Sequence, residues 1–393
     1  MARTPVSVED YRRIARRRLP SMVFDFLDGG ALDESTLRAN TDDLARILLE
    51  QRVLRDVADI DVSVTVLGRS LERPILIAPM GLLSLFHPEA DVAMARAARD
   101  AGTIFIHSAW SGAALADVAT AGRGNLAPAA GRGSVWAQAA FWRHPERLDD
   151  HLDRITRAGI DVLVLPGDVA YSSKRERDLR HGFSMSTVPR LASLLDAATH
   201  PRWCRRMLTG PPVAFGNRTA EGRWRGVKQM AEFLEDAENP SATWEDLRRI
   251  RDRWSGKIVL KGVMAADDAR RAVDAGVDAV YVSNHGGRQF DSQPSTAASL
   301  PAIVRAVSGQ TEILIDGGVR RGSDVLKLRA MGATACLVGR PAAYGVTARG
   351  RDGVRAVLDN LTDELRTALG FVGCRSFSDV SAEVLASRTG RMV

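Results

Sequence analysis

The sequence predicts an α/β protein whose core is a closed barrel of eight parallel strands, each followed by a helix. From Pro74 onward, short runs rich in Ile, Val and Leu alternate with amphipathic stretches across polar or glycine-bearing turns, a pattern typical of βα units. Eight such runs favour a (β/α)8 TIM barrel over an open doubly wound sheet, because no GxGxxG turn follows the first strand. We expect residues 1–393 to form one domain of this kind.

The eight apolar runs are the predicted strands. They occupy residues 74–79, 103–108, 134–138, 161–166, 257–261, 279–284, 312–316 and 335–339. Barrels of this class carry their chemistry at the carboxyl ends of the strands. Polar side chains at those ends are therefore the candidates for function.

Two segments lie outside the repeating units. Residues 1–72 include the helical stretch SVEDYRRIARRRLPSMVFDFLDGG, in which Gly29 and Gly30 resemble a helix stop, and we expect this segment to form a lid or plug. Residues 182–239 form a long insertion after the fourth strand, which we expect to be an irregular loop. Insertions of that length within a barrel are commonly functional.

Part of the insertion, residues 190–208, combines an apolar face with Trp203 and several arginines. A helix of that composition suits the surface of an anionic membrane, and the alternative is a lid helix that packs on the barrel rim. The sequence leaves both open, so we expect a protein that is cytoplasmic or associated peripherally with a membrane. No run reaches the length of a membrane span, and the first residues lack the apolar core of a secretion signal.

The composition excludes several other classes of protein. The net charge is +6, but the basic residues are scattered among 48 acidic ones, so we expect no nucleic-acid partner. Cys204, Cys336 and Cys374 are widely spaced and predict neither disulfides nor a metal site. We expect all three to be reduced and buried.

The last two predicted strands end in matching glycine and arginine turns. IDGGVRRGSD spans 315–324 and LVGRP spans 337–341, and barrels typically hold a phosphate at these two positions. Gly317, Gly318 and Gly339 offer backbone amides, while Arg320 and Arg340 offer charge-assisted hydrogen bonds. The sequence thus predicts a phosphate site there, with a pair of ordinary turns as the alternative.

The other strand ends supply one polar group each. These are Ser108, Gln138, Asp168, Lys261 and His285. Ser108 and Gln138 suit the hydrogen-bonding edge of a heterocycle, and Lys261 could hold positive charge beside a ring that becomes anionic on reduction. In VSNHGGRQFD (282–291) the two glycines allow a flat ligand to come close, although a merely solvated surface loop is also consistent with this motif.

Taken together, these segments resemble the FMN-dependent 2-hydroxy-acid dehydrogenase and oxidase family, which includes glycolate oxidase, flavin-type lactate dehydrogenases and mandelate dehydrogenase. The resemblance extends from about Val6 to Leu385 and is carried by the N-terminal helical stretch, ILIAP, AQ, KRERDLRHGF, LKGV, SNHGGRQFD, IDGGVRRGSD and VGRP. VAYSSKRERDLRHGF followed by HPRW most resembles the mandelate dehydrogenase branch. The family resemblance implies FMN as the cofactor and a homotetramer as the common assembly.

The resemblance also implies roles for individual residues. His285 would be the base, Asp168 its acidic partner, and Arg288 and Arg175 the clamp of the substrate carboxylate. The residues implied to bind FMN are Ser108, Gln138, Lys261, Ser283, Asp316, Gly318, Arg320, Gly339 and Arg340. Such an enzyme converts a 2-hydroxy acid to a 2-oxo acid and then passes electrons to oxygen, a quinone or another carrier.

Three positions depart from the family pattern. Phe26 and Ala140 stand where the family usually has tyrosines that bind substrate, and Pro166 stands where it has threonine. Each lost hydrogen bond to a charged group is worth roughly 1.5 to 3 kcal/mol. We therefore expect a wider, more apolar pocket and a substrate bulkier than lactate or glycolate, either aromatic or a biosynthetic intermediate. The alternatives are a flavin enzyme with altered chemistry and a flavin-binding protein without catalysis.

Overall fold

The computed structural model describes residues 4–124, 133–182, 191–210 and 239–386. Eight parallel strands close into a barrel in the order β10-β3-β4-β5-β6-β7-β8-β9. They are Ile75–Ile77 (β3), Phe105–His107 (β4), Val135–Gln138 (β5), Val162–Pro166 (β6), Lys257–Lys261 (β7), Ala279–Val282 (β8), Glu312–Ile315 (β9) and Ala335–Val338 (β10). All eight predicted strands and the barrel are confirmed.

Helices follow the strands and cover the barrel. They are Ala90–Asp100 (α4), Leu115–Arg123 (α5), Pro145–Arg157 (α6), Glu176–Arg180 (α7), Trp244–Arg253 (α10), Ala266–Asp274 (α11), Thr296–Val307 (α12), Gly322–Ala330 (α13) and Arg340–Val372 (α14). The long α14 is broken at Arg349 and Gly350, whose backbone angles are not helical. Apolar residues on these helices and on the outer faces of the strands form the larger core.

The interior of the barrel is a second apolar core. It contains large side chains that alternate along the strands, as the pleat of a strand requires: Leu76, Ile106, Trp136, Val164, Val259, Tyr281, Leu314 and Leu337. An antiparallel hairpin, Val64–Val66 (β1) and Arg69–Leu71 (β2), closes the amino end of the barrel. The sequence reasoning missed this hairpin because three-residue strands carry too little periodicity.

The N-terminal helical stretch is two helices instead of one. Val8–Arg18 (α1) ends before Leu19, and Ser21–Asp28 (α2) follows Pro20, because proline lacks the amide proton that a continuous helix needs. The second helix ends at Gly29, where the sequence predicted a stop. A third helix, Ser35–Arg46 (α3), leads towards the hairpin.

Asp28 fastens the N-terminal segment to the barrel. Its carboxylate accepts hydrogen bonds from Arg12 of α1 at 2.7 and 2.9 Å and from the Tyr344 hydroxyl of α14 at 2.6 Å. Burial alone would raise the pKa of Asp28, but these donors and Arg177 hold it well below its ordinary value. A carboxylate held ionised by three elements fixes their relative positions.

The described part of the insertion is helical, as both interpretations of residues 190–208 expected. Leu191–Ala198 (α8) and Pro201–Thr209 (α9) are helices, and residues 183–190 and 211–238 lie outside the described part. The indole N–H of Trp203 donates to the Leu85 carbonyl at 2.9 Å, and Asp196 accepts from the Ser21 amide at 2.6 Å. These contacts join the segment to the residues after β3 and to α2, as the rim-packed alternative requires.

The cysteines also differ in part from the expectation. All three are free thiols, but only Cys336 is buried, while Cys204 and Cys374 are half-buried. Cys336 lies inside β10, where burial raises the pKa of its thiol. Within the described residues, no helix is long and apolar enough to span a membrane.

Candidate functional site

A cavity of about 640 Å³ opens at the carboxyl ends of the barrel strands. Polar and apolar residues both line it. The polar lining comprises Ser108, Gln138, Lys261, His285, Arg175, Arg288, Asp178, Asp316, Arg320 and Arg340, together with Gly317, Gly318 and Gly339. The barrel thus brings together most of the residues that the sequence singled out.

His285 and Asp168 form a pair at the centre of the site. His285 Nδ1 lies 3.0 Å from Asp168 Oδ2, and Lys261 Nζ lies 3.4 Å from the same oxygen. A carboxylate acceptor keeps the imidazole proton on Nδ1 and leaves Nε2 unprotonated. Lys261 Nζ is also 3.2 Å from Nδ1. We assign the Nδ1 proton to the Asp168 contact because a carboxylate can only accept, whereas the Lys261 ammonium can donate to Asp168 instead.

The charges in this cluster prepare His285 to act as a base. Burial lowers the pKa of His285, the positive charge of Lys261 lowers it further, and Asp168 opposes both in part. Burial alone would raise the pKa of Asp168, but Lys261 and His285 hold it well below its ordinary value. An ionised carboxylate therefore faces a neutral imidazole.

Backbone geometry at the end of β8 directs the imidazole into the cavity. His285 has a φ of 57° in the left-handed region, and Gly286 and Gly287 continue the turn with φ of 66° and 74°. The Ser283 hydroxyl accepts a hydrogen bond from the His285 amide at 3.1 Å. A left-handed conformation at a histidine is strained and needs such local support.

Two arginines converge on the ring of Phe26. The guanidinium carbon of Arg288 lies 5.1 Å and that of Arg175 lies 5.7 Å from the ring centroid, within the range of cation–π contact. Burial lowers the pKa of Arg288 well below its ordinary value, and the positive charges of Arg175 and Arg340 add to this effect. Like charges held together in a buried site favour the binding of an anion.

The N-terminal segment supplies a backbone acceptor to the site. The Gly29 carbonyl accepts hydrogen bonds from Arg288 at 2.8 Å and from Arg340 at 2.7 Å. The turn after α2 packs so closely that a Cβ at Gly30 would stand 2.8 Å from the Gly287 carbonyl. Glycine is needed here because two backbones meet directly, and the expected lid is thus a structural part of the site.

The opposite end of the cavity fits a flavin mononucleotide. Asp316 accepts from the Tyr281 hydroxyl at 2.7 Å, and its other oxygen is buried without a partner among the described residues, which suits a polyol hydroxyl donor. Gly317 and Gly318 have φ of 98° and 84° and leave no room for a Cβ. With Arg320 and Arg340 beside them, these groups suit a phosphate.

Ser108 and Gln138 lie together where a heterocycle edge would bind. Ser108 Oγ is 3.2 Å from Gln138 Oε1, and the Ala109 amide donates to the same oxygen at 3.3 Å. Both side chains are buried and line the cavity. Hydroxyl and amide groups of this kind match the donors and acceptors of a flavin ring edge.

Several predicted residues do not line the main cavity, among them Asp168, which nevertheless contacts His285. Ala140 is fully buried in the core and is not part of the cavity wall, and Ser283 is buried beneath His285. Pro166 lines a second, smaller cavity of about 270 Å³, and Val169 is common to both cavities. The expectation that the small side chain of Ala140 widens the substrate pocket therefore finds no support in the wall of the main cavity.

The sequence reasoning missed several residues of the site. The apolar wall comprises Met80, Leu82, Phe86, Trp110, Val169 and Leu179. Asp178 lies beside Arg175, and Tyr281 reaches Asp316 from inside the barrel. Trp110 could have been found, since it follows Ser108 by two residues at a strand end; the others gave no local signal.

Known proteins are similar to this chain over nearly its whole length. Residues 15–387 match the family described as FMN-dependent dehydrogenase. A 4-hydroxymandelate oxidase of Amycolatopsis orientalis is 39% identical over 373 residues, which cover 95% of this chain and 96% of the relative. An L-lactate dehydrogenase of Caulobacter vibrioides is 39% identical over 389 residues, 98% of both proteins.

Solved structures agree with these relatives. The monotopic membrane protein (S)-mandelate dehydrogenase superimposes with a TM-score of 0.91 at 35% identity, over 98% of this chain and all of that one. A mandelate oxidase superimposes with a TM-score of 0.81 at 38% identity, over 98% of this chain and 99% of that one.

Fold and site together define a flavin enzyme of the barrel class. The chain belongs to the FMN-dependent dehydrogenase family. This membership confirms the expected cofactor, FMN, and the expected kind of enzyme, an FMN-dependent 2-hydroxy-acid dehydrogenase or oxidase.

Proposed function

We propose that the enzyme oxidises a bulky, aromatic 2-hydroxy acid of the mandelate type to its 2-oxo acid. The observation that carries this proposal is that His285, Arg175 and Arg288 line one cavity together with apolar side chains, and that Asp168 contacts His285 at 3.0 Å. Relatives named for mandelate and 4-hydroxymandelate support the aromatic substrate class. The N-terminal helices, the barrel and the insertion act as one FMN-binding domain.

The proposed roles follow from the geometry. Arg175 and Arg288 hold the substrate carboxylate, and His285 Nε2 takes a proton from the hydroxyl or from the carbon that bears it. Asp168 stabilises the imidazolium that results, 3.0 Å away. FMN, when bound, accepts the two electrons, and Lys261 supplies positive charge beside its ring. Both a hydride and a carbanion route use the base in this position.

Cofactor binding is proposed for the residues at the other end of the cavity. These residues line the cavity. Ser108, Gln138 and Lys261 would hold the ring of FMN, Asp316 would hold its ribityl chain, and Gly318, Gly339, Arg320 and Arg340 would hold its phosphate. Ser283 contributes through its hydrogen bond to the His285 amide. Phe26 contacts the substrate arginines, while Ala140 contributes only from behind the cavity wall.

The test is anaerobic reduction of the bound flavin, followed by its visible absorbance. We expect (S)-mandelate and larger aromatic 2-hydroxy acids to bleach the flavin faster than L-lactate or glycolate. His285→Gln should abolish bleaching, while the matched change at an exposed histidine, His144→Gln, should preserve it. A preference for glycolate would overturn the substrate class.

A second candidate is a flavin enzyme with altered chemistry on a substrate that lacks the usual carboxylate. Phe26, Ala140 and Pro166 favour it, because none of them carries the hydroxyl group usual at its position in the family. Arg288→Lys separates the two candidates, because lysine cannot give the paired hydrogen bonds of a guanidinium. A large loss of activity supports the 2-hydroxy acid. Activity that remains almost intact on the true substrate supports the second candidate. Separately, reduction of the bound flavin by any hydroxy acid would exclude a flavin-binding protein without catalysis.

We also propose peripheral membrane contact through residues 190–208. Leu191 and Leu208 are 72% and 85% exposed, Leu194 and Leu195 are exposed too, and exposed Arg202, Arg205 and Arg206 lie along α9. Apolar and basic side chains side by side suit an anionic bilayer surface.

Flotation with liposomes tests this contact. We expect binding to vesicles with anionic lipid, weaker binding to zwitterionic ones, and loss of binding in Leu191→Ser/Leu195→Ser. Leu54→Ser, at another exposed leucine, is the matched control and should bind normally. Equal flotation of all variants would leave α8 and α9 as rim helices only.

The electron acceptor and the assembly complete the proposal. A membrane-bound dehydrogenase would turn over with a soluble quinone analogue faster than with oxygen, whereas an oxidase would release hydrogen peroxide. The family pattern suggests a homotetramer, which light scattering on the purified enzyme tests.

A further inference from the structure

Asp178 is an acidic side chain that the proposed reaction does not use. It lies on α7, lines the cavity, and is only 6% exposed. Its Oδ2 is 3.7 Å from Arg175 Nη1, and its Oδ1 is buried without a hydrogen-bond partner among the residues that the structure describes. A buried carboxylate oxygen with no donor is uncommon and calls for a physical reason.

The charged groups that face Asp178 come from three elements. Arg288 approaches from the turn after β8, Arg175 and Arg177 from the start of α7, and Asp25 from α2. Asp25 is itself engaged by Arg177, at 2.7 Å. The arginine pair proposed for the substrate carboxylate is therefore already shared with a carboxylate of the protein.

A bound substrate would place a second carboxylate on the same two guanidinium groups. When two carboxylates share one site, like-charge repulsion raises the pKa of one of them strongly. Burial already raises the pKa of Asp178 above its ordinary value, although Arg288 and Arg175 act against it. The side chain is therefore closer to accepting a proton than an ordinary aspartate is.

We propose that binding of a substrate carboxylate to Arg175 and Arg288 is coupled to the uptake of one proton by Asp178. The substrate arrives as an anion, a proton from solvent binds the unpartnered Asp178 Oδ1, and the same proton leaves when the product anion is released. The total charge of the site is thus the same before and after binding. This inference rests on the proposed function in one respect, namely that the arginine pair binds a carboxylate.

The coupling has a kinetic consequence. Above the pKa of Asp178 in the free enzyme, the apparent Kd and KM of a carboxylate should rise up to about tenfold per pH unit, because binding consumes one proton. They should level off once the bound state also ionises. An uncharged ligand of the same shape should show no such dependence, and kcat should change much less than KM. Asp178 therefore acts as a positioning and affinity-tuning residue.

The experiment measures protons directly on the FMN-loaded enzyme. Phenylacetate, a carboxylate that has no hydroxyl to oxidise, is titrated calorimetrically at several pH values between about 5.5 and 8 in buffers of different ionisation enthalpy. The dependence of the binding heat on the buffer gives the number of protons taken up. Phenylacetamide is the uncharged control ligand.

Three variants assign the proton to its residue. Asp178→Asn keeps the shape of the side chain and should abolish proton uptake and flatten the pH dependence of Kd. His285→Gln should retain the uptake, which separates Asp178 from the imidazole. Asp91→Asn is the matched control, because Asp91 is another buried acid whose pKa burial raises, to about 6, and it binds Ser111 outside the cavity.

Each outcome decides the matter. Proton uptake that disappears in Asp178→Asn and persists in His285→Gln and Asp91→Asn supports the proposal. Phenylacetate binding without proton uptake in the unaltered enzyme overturns it and leaves the proposed function standing, and so does uptake that disappears only in His285→Gln. If phenylacetate does not bind at all, the carboxylate clamp itself is wrong. The measurement on the unaltered enzyme holds even if a variant fails to fold.

Discussion

At the scale of the residue, Phe26 shows how one missing hydroxyl redefines a site. The family resemblance places a tyrosine at this position, whose hydroxyl would bind the substrate carboxylate. Phe26 instead contacts the guanidinium groups of Arg288 and Arg175 with its ring face. Such contacts are worth roughly 0.5 to 2 kcal/mol, so the ring still helps to hold the arginines even though it donates no hydrogen bond.

Phe26→Tyr should improve the binding of small hydroxy acids. A new hydrogen bond to a carboxylate is worth roughly 1.5 to 3 kcal/mol, and we expect KM for L-lactate to fall by about ten- to a hundredfold while KM for (S)-mandelate changes less. Steady-state kinetics on both substrates checks this. Phe26→Leu, which removes the ring face as well, should raise KM for both; an unchanged KM in both variants would show that the ring does not contact the clamp.

The pH profile of His285 is a second prediction at this scale. A base works when it is deprotonated, so kcat/KM should fall as pH decreases through the pKa of His285. Because burial and Lys261 lower that pKa, the acid limb should lie below the ordinary histidine value of about 6.5. Asp168→Asn removes the group that opposes this shift.

Asp168→Asn should therefore move the acid limb to still lower pH and slow flavin reduction by about 10²- to 10⁴-fold. Stopped-flow reduction across pH measures both effects. A limb that moves to higher pH would contradict the assigned electrostatics.

At the scale of the element, the turn between α2 and α3 connects the N-terminal segment to catalysis. Its Gly29 carbonyl accepts hydrogen bonds from Arg288 and Arg340, and Gly30 packs on the backbone of Gly287. The helical stretch that the sequence predicts to be a lid or plug thus forms part of the wall of the site. Its position depends on glycines on both sides of the contact.

Gly30→Ala should weaken substrate binding. Its Cβ would stand 2.8 Å from the Gly287 carbonyl, so one backbone must move and Arg288 must move with it. We expect a rise of about tenfold or more in KM, with a displacement of 1 Å known to cost up to 10² in rate. Gly370→Ala, where the nearest atom is 3.5 Å away, is the control and should leave KM unchanged.

At the scale of the whole molecule, buried histidines set the response to acid. His107 and His151 are buried behind Gln138, and burial lowers the pKa of His107 to about 3 and that of His151 to about 4. Both take up protons in the unfolded chain near pH 6.5 and in the folded chain only far below it. The unfolded state therefore binds more protons, and stability is lost as pH falls from about 6.5 towards 4.

Thermal unfolding across pH tests this prediction. We expect the midpoint to fall steadily between pH 6.5 and 4, and His151→Gln to reduce that dependence. Asp91 has the opposite effect, because burial raises its pKa to about 6. Through Asp91 the protein loses stability as pH rises from about 4 to 6, which partly offsets the effect of the histidines. A midpoint that does not change over this range would contradict the burial of the histidine pair.

The barrel and most of the candidate site could be predicted from the sequence. Repeating βα units fix eight strands, and parallel strands present their carboxyl ends at one edge, so His285, Asp168, Lys261 and the arginine turns had to meet there. The resemblance of the motifs supplied FMN and the kind of reaction. Glycine and arginine at the last two strand ends predicted a phosphate site in the same way.

Tertiary structure alone decided the contacts between residues distant in the chain. Asp178 faces Arg288 across 110 positions of sequence, and the Gly29 carbonyl meets Arg340 from the other end of the chain. The sequence also did not predict that Ala140 is buried and absent from the cavity lining, or which apolar residues line the cavity. Periodicity and motifs report neighbours along the chain, whereas these contacts depend on how helices and loops pack over the barrel.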